Sequence, residues 1–333
     1  MTEYDYEEDI AAQETEDMIA EIEEQLKQEY QKAIDEIEDK IDEYLDEFRQ
    51  KDIGRRQAVA DGEITQAEYN QWRQNQMMIG VRWEDLRNAL AMDMHNVNQI
   101  AKKIYYGYRA DVYAVNYNWA TYNIEHDTMI DTSFTLYSRE TVERLIADHP
   151  DLMPPPGKKV SARIAAGQDV LYNKQMLNSA LLQDILQGKS IDEFARDIAR
   201  KTGEKNYSAA VRNARTMVTG AQNAGRINAY RRAEDLGIRL KKRWIATLDG
   251  RTRPAHAALD GQTVPVNEPF ESELGEIMYP GDPSADPANV WNCRCTTISV
   301  IEGFEIDSVS ERTVAPSLGG ISYEEWKELK KDG

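Results

Sequence analysis

The sequence predicts a mainly α-helical protein with long N-terminal helices and a small C-terminal α+β module of short antiparallel strands. Three observations predict it. Apolar residues recur every three or four positions through 19–48 and in later segments as far as Leu236, which is the repeat of a helix with one buried face. After Gly237 the pattern changes. Residues 240–247 (through Leu240, Trp244, Ile245 and Ala246) and 295–301 (through Thr296, Thr297, Ile298 and Val300) read as strands. Between them Pro265, Pro269, Pro280, Pro283 and Pro287 predict a long irregular loop.

The first helix carries the stripe Ile19, Ile22, Leu26, Tyr30, Ile34, Ile37, Ile41, Leu45 and Phe48, with carboxylates around the rest and no breaker before Gly54. About 35 residues at ~1.5 Å each make a rod of about 50 Å. Its stripe calls for a cover, from the next helix, from a second copy or from another chain. Asp61-Gly62 marks a turn, and Thr65 with Glu68 has the spacing of a capping box. Tyr69, Trp72, Gln76, Ile79 and Trp83 follow at helical spacing, then Leu86, Leu90, Val97, Ile100 and Ile104. The aromatic run Tyr105, Tyr106, Tyr108, Tyr113, Tyr117, Trp119, Tyr122, Phe134 and Tyr137 reads as helix packing, with a base-stacking platform as the alternative. His95, and His126 beside Asp127, read as surface or locally bonded groups.

Pro150 and Pro154-Pro155-Pro156-Gly157 form a stiff connector. Residues 162–186 read as a helix closed by Gly188. Ser190 with Glu193 caps a short helix that Gly203 ends. Residues 208–236 form another long helix, studded with Ala209, Ala210, Ala214, Gly220, Ala221, Ala224, Gly225 and Ala229, small residues that let backbones approach closely. Asp249-Gly250 is a turn, Thr252-Arg253-Pro254 opens a short helix that Gly261 stops, and Ser322 with Glu325 caps the last helix. The elements fall into four segments: 1–150, acidic and aromatic helices; 151–238, helices with a basic face; 239–305, the α+β module; and 306–333, a tail with a short helix.

The chain has 333 residues, 41% of them hydrophobic and 30% charged, with 59 acidic against 40 basic side chains and a net charge of −19. At roughly 100–200 residues per domain this suggests two or three domains with a real core. Two cysteines exclude a secreted disulfide framework. The acidic N-terminus lacks the basic start and apolar stretch of a signal peptide, and no window approaches the ~18 apolar residues of a membrane span. The expectation is a soluble, cytoplasmic protein without membrane contact. The charge is uneven: residues 1–50 hold 20 acidic and four basic side chains, whereas residues 196–243 hold 13 basic and four acidic ones. Within the basic stretch Arg231, Arg232, Lys241, Lys242 and Arg243 are the candidates for contact with DNA phosphates; the plainer reading is a solvated helix face.

The densest chemistry lies in the C-terminal module. Asp249, Arg251, Arg253, His256, Asp260 and Gly261 cluster within thirteen positions, and Trp291-Asn292-Cys293-Arg294-Cys295 returns about thirty residues later. In a strand Cys293 and Cys295 point to one face. With His256 they make three ligands for Zn²⁺, the fourth being Asp249, Asp260 or water. A metal would close the polar, proline-rich loop between them. The alternative is a pair of reduced core cysteines and an ordinary histidine. Neither His-Glu-x-x-His, nor the deaminase signature, nor Gly-x-Ser-x-Gly, nor a Walker loop occurs.

At these residues the sequence resembles the phage Mu F-like head morphogenesis family. The resemblance is carried by Trp244-Ile245-Ala246-Thr247-Leu248-Asp249-Gly250-Arg251-Thr252-Arg253-Pro254-Ala255-His256, Leu259-Asp260-Gly261-Gln262, Tyr279-Pro280-Gly281-Asp282-Pro283 and Trp291-Asn292-Cys293-Arg294-Cys295. Ala214-Arg215-Thr216 and Asn223, Arg226 and Asn228 fit the helix that enters the module, so the resemblance covers roughly residues 165–302. It implies a minor head protein at the portal vertex, acting in head assembly, DNA packaging or ejection. It implies contact with the portal protein, other head proteins and DNA, and a place inside the virion head and in host cytoplasm during assembly. It implies no established enzymatic activity. The family's Asp, His and Cys-x-Cys positions carry over to Asp249, His256, Cys293 and Cys295. Two other readings stay open: a metal-dependent hydrolase or nucleotide-using transferase on the same module, and a non-enzymatic DNA-binding helical protein.

Overall fold

The computed structural model describes residues 8–78, 81–150, 168–187, 189, 191–304 and 316–331. The expected triple-proline connector, the start of the helix at 162, Ile79, the Gly188 and Ser190 helix signals and residues 306–315 lie outside them. The helices are α1 (Ile10–Ala60), α2 (Gln66–Met78), α3 (Val81–Gly107), α4 (Arg109–Thr128), α5 (Arg139–Asp148), α6 (Gln168–Leu186) and α7 (Ile191–Asp235). Then follow β1 (Ile238–Ile245), α8 (Pro254–Ala257), β2 (Thr263–Pro265), β3 (Phe270–Ser272), β4 (Gly275–Ile277), α9 (Pro287–Val290), β5 (Thr296–Phe304), a 3₁₀ turn (Pro316–Gly320) and α10 (Tyr323–Lys331). The protein is thus mainly helical, with short antiparallel strands near the C-terminus. No described helix is long and apolar enough to cross a membrane.

The chain packs as two units, Glu23–Ile104 with Lys159–Val211, and Met1–Ile22 with Tyr105–Lys158 and Arg212–Gly333. In the first, the α1 stripe is covered from within the chain. Leu26, Tyr30, Ile37, Ile41 and Leu45 are buried, Tyr30 Oη donates to Asn98 Oδ1 of α3 at 2.6 Å, and Lys40 pairs with Asp93 at 2.7 Å. Two expected helix ends are corrected here. Helix α1 runs through Gly54 and stops at the Asp61-Gly62 turn, where Gly62 takes φ +75°. Gly203 ends nothing: α7 is continuous, and a Cβ at Gly203 would lie 2.2 Å from the Ile34 side chain. This glycine serves a close approach rather than a cap. The Thr65 capping box forms as expected, with Glu68 N donating to Thr65 Oγ1 and Thr65 N to Glu68 Oε2. His95, read as a surface or locally bonded group, has a partner distant in sequence, its Nδ1 lying 2.8 Å from Asp169 Oδ2.

In the second unit α4 packs on α7 without room for a side chain: a Cβ on Gly225 would sit 2.5 Å from Tyr113 O. The aromatic run is packing. Tyr113 and Tyr117 are buried, and the Tyr117 and Tyr137 rings stack at 3.9 Å. Helix α10, opened by the Ser322/Glu325 capping box, docks on α4 through buried Glu125, which accepts from Trp326 Nε1 at 2.7 Å and pairs with Lys330 at 3.0 Å. The sheet order is β2-β1-β5, all antiparallel, and a bulge between Arg239 and Leu240 faces Gly303, at φ +139°. The loop expected to be wholly irregular carries β2, the β3–β4 hairpin and α9. Its Gly281 (φ +80°) presses its carbonyl onto Gly220 of α7, where a Cβ would meet it at 2.9 Å.

Candidate metal centre

The pairing of Ile245 with Thr296 brings the end of β1 beside the start of β5. Cys293 and Cys295 precede β5 rather than lying in it, because Asn292 takes a left-handed φ of 53° and turns the chain just before them. Both remain free, buried thiols that face one point. Helix α8 supplies the third group. Pro254 at its first turn has no N–H to leave unsatisfied, and the turn buries His256 at 2% exposure against Trp244, at a ring separation of 5.4 Å. His256 Nδ1 stands 3.5 Å from Cys293 Sγ and 3.6 Å from Cys295 Sγ. Ligand atoms of the three residues all lie within 4.8 Å of one another.

A tetrahedral zinc bound at ~2.3 Å to sulfur and ~2.05 Å to nitrogen sets S···N edges of about 3.6 Å. The observed spacings match those edges, and one imidazole with two thiols is a donor set suited to a borderline-soft cation. The residues present fit such an ion. The two sulfurs are unequal: a hydrogen bond shared with Cys295, reinforced by burial, pushes the Cys293 thiol up. The bond from Cys293 and the neighbouring His256 pull Cys295 down.

Elements around the trio hold it in place. Helix α7 grips the Cys-x-Cys backbone: Thr219 Oγ1 donates to Cys293 O at 2.6 Å, and Asn223 Nδ2 donates to Cys295 O at 3.2 Å. Asn223 Oδ1 accepts from Thr297 Oγ1 at 3.2 Å. Asn292 N donates to Thr216 Oγ1 at 2.9 Å. Asn289, on α9, has its Oδ1 2.9 Å from His256 Nε2. Sequence reasoning missed Thr219 and Asn289, and marked Asn223 only as fitting the helix that enters the module. Thr219, Asn223, Arg226 and Tyr230 recur at helical spacing as one polar face of α7, and that was a readable signal for the first two; Asn289 has none.

Asp249 is not brought into the trio. Both its oxygens are held by Arg294, at 2.6 and 2.7 Å, and one also accepts from Arg251 N at 2.8 Å. The Arg294 guanidinium, followed by the Arg251 amide, holds its carboxyl well below the usual range. It closes a loop by an ion pair with Arg294. Asp260 is likewise engaged, accepting from Ala246 N at 2.8 Å.

The basic candidates are also separated by the structure. Lys242 shares a strand face with buried Leu240 and Trp244 and is itself 0% exposed. Its Nζ donates to Met278 O at 2.7 Å, and burial pulls its pKa down to about 7. It therefore corrects the expected phosphate-facing set, because the side chain is buried and its Nζ is bonded inside the module. Arg231 donates to Asn267 Oδ1, Lys241 pairs with Glu302 at 2.6 Å, and Arg243 donates to Thr263 Oγ1. Arg232 is exposed.

Comparison with known proteins places these residues. Residues 175–298 match the family described as Phage Mu protein F like protein, within the 165–302 stretch that the motifs mark. The chain is 28% identical over 223 residues to the minor head protein GP7 of Bacillus phage SPP1, covering 66% of this chain and 69% of that protein. It is 33% identical over 224 residues to a protein of Enterococcus faecalis named NAD(+)--arginine ADP-ribosyltransferase EFV, and there it spans 43% of the relative's length. An uncharacterized protein of Haemophilus influenzae is 29% identical over 134 residues, 39% of this chain and 25% of that one. No solved structure matches. The helix that grips the Cys-x-Cys loop, the histidine turn, β1 and the start of β5 all fall inside this one matched segment, over which the chain is similar to the Phage Mu protein F like family.

Proposed function

We propose that this chain is a minor head protein of a tailed phage, acting in head morphogenesis. The observation that supports this reading most is the family match over residues 175–298, joined by the likeness to a minor head protein over 69% of that protein. Its place is the portal vertex inside the capsid head, with the portal protein and other head proteins as partners, in assembly, DNA packaging or ejection; before encapsidation it is in host cytoplasm. Mass spectrometry of heads purified from the phage or prophage that encodes it should find the chain in DNA-filled heads, and deleting its gene should lower their yield. Heads without the chain, and a deletion without effect, overturn the reading.

Within it, His256, Cys293 and Cys295 hold Zn²⁺. The ion supplies a buried cross-link between α8 and the approach to β5, closing a loop of about forty residues whose closure entropy is otherwise uncompensated. Contact with DNA is a finer proposal that rests on Arg231, Arg232, Lys241 and Arg243.

One similarity motivates a second reading, a nucleotide-using transferase on the C-terminal module: the relative named as an NAD(+)--arginine ADP-ribosyltransferase. More than half of that relative lies outside the match, since the chain spans 43% of it, and its activity is not carried over. Incubation with NAD⁺ and arginine should give no ADP-ribosyl-arginine; its formation would replace the non-enzymatic reading.

A further inference from the structure

The inference rests on the metal reading and concerns how the centre is built. Asn289 is buried at 0% exposure on α9, whose first turn is capped by Asp286 accepting from Ala288 N at 2.8 Å. An amide side chain can be placed either way round, so its neighbours decide the orientation. Asn289 Nδ2 points at Gly275 O, 3.1 Å away, in the β3–β4 hairpin. A carbonyl only accepts, so the NH₂ end must face the hairpin. The oxygen end therefore faces His256, and Ser272 Oγ donates to that same oxygen at 3.4 Å. An amide oxygen also only accepts. His256 Nε2, 2.9 Å from it, must then carry the ring proton. In the neutral imidazole this leaves Nδ1 with its lone pair, and Nδ1 is the nitrogen aimed at both sulfurs, at 3.5 and 3.6 Å. The hairpin carbonyl thus determines the tautomer of the histidine through one asparagine.

We propose that His256 ligates a borderline-soft divalent cation, Zn²⁺ or Co²⁺, through Nδ1, and that Asn289 is the positioning residue that holds the Nε2 proton and orients the ring. This is the outer-shell role usually filled by a carboxylate or a backbone carbonyl beside a metal-bound histidine. A neutral amide suits this buried place because, unlike a carboxylate, it adds no charge of its own. Two thiolates already bring two negative charges to the ion, and a buried third would raise the cost of burial.

The test uses the full chain, stripped of metal under reducing conditions and titrated with Co²⁺ alone. The parent should show thiolate-to-cobalt charge-transfer absorption together with the visible bands of tetrahedral cobalt. Asn289→Ala should keep both absorption features while its Co²⁺ affinity, measured against a competing chelator, falls 10- to 100-fold. Circular dichroism shows whether that variant is folded. A second readout needs no variant: in ¹⁵N-histidine-labelled parent loaded with Zn²⁺, the His256 ring should show a protonated Nε2 and a metal-shifted Nδ1. Absence of charge-transfer absorption in the parent overturns the metal reading itself. Absorption in the parent with unchanged affinity in folded Asn289→Ala, or a protonated Nδ1 in the loaded chain, overturns only the role of Asn289.

Discussion

Helix α7 meets the sheet at two buried polar centres, and they differ in one respect. Around Arg226 every charge has its opposite. The guanidinium donates to both oxygens of Asp9 at 2.7 and 2.9 Å, to Asn116 Oδ1 at 2.9 Å and to Thr297 O at 3.2 Å. Cation and carboxylate are 2% and 3% exposed. One to two turns earlier on the same helix, Thr219 and Asn223 hold the backbone of Cys293 and Cys295, and there the three side chains offered are all of the kind that donate electron pairs to a metal. The first centre is electrostatically complete within the protein. The second has the donors for a cation but no cationic side chain among them. A complete network reads as architecture, whereas a convergent, one-signed set of donors reads as a binding site.

The largest test of this contrast is at Arg226. Removing one member of a buried pair leaves the other charge uncompensated. Arg226→Ala should therefore cost about 3–5 kcal/mol in urea unfolding, with or without metal. A loss below about 1 kcal/mol would erase the distinction. At the other centre, stability should depend on the ion. Zinc at a hundred times its dissociation constant should add about 2.7 kcal/mol, lost on chelation. The Cys293→Ser/Cys295→Ser double variant should be indifferent to zinc. A chelator effect that persists in the double variant would place the metal elsewhere.

Lys242 is a third case, a buried amine whose hydrogen-bond partner is a carbonyl rather than a carboxylate. Its folded pKa of about 7 lies below the ordinary lysine value of 10.5. Between those pH values the unfolded chain binds more protons, so parent stability should rise with pH from about 7 to about 10. Lys242→Met should remove that slope. Below pH 7, where the penalty of burying the ammonium is fully present, it should stabilise by on the order of 2 kcal/mol. Parallel stability curves for the two chains from pH 7 to 10 would contradict this. The smallest expected effect concerns Arg231, Arg232, Lys241 and Arg243. Neutralising all four should leave folding within about 0.5 kcal/mol while flattening the salt dependence of any DNA binding. Unchanged affinity would make that stretch a solvated face.

Periodicity and local chemistry made much of the molecule legible. The helical stripe of α1, the Thr65 and Ser322 capping boxes, the aromatic packing and the strand positions follow from spacing, because a helix or strand buries one face and that face repeats. The cluster of His256, Cys293 and Cys295 was legible as well, since they are unusual residues in a chain with four histidines and two cysteines. Alternation along β1 even places Lys242 with Leu240 and Trp244, although its charge argues for the surface.

Which residues carry helix, strand and metal-type chemistry follows from side-chain type and local spacing. Long-range packing settled that Asp249 answers Arg294, that Gly203 makes room for Ile34 rather than ending a helix, and that Asn289 Oδ1 faces His256 Nε2. Each of these depends on a partner distant in sequence, at separations of 45, 169 and 33 positions. Which of several possible partners a polar group takes is settled by the packing that excludes water from the others.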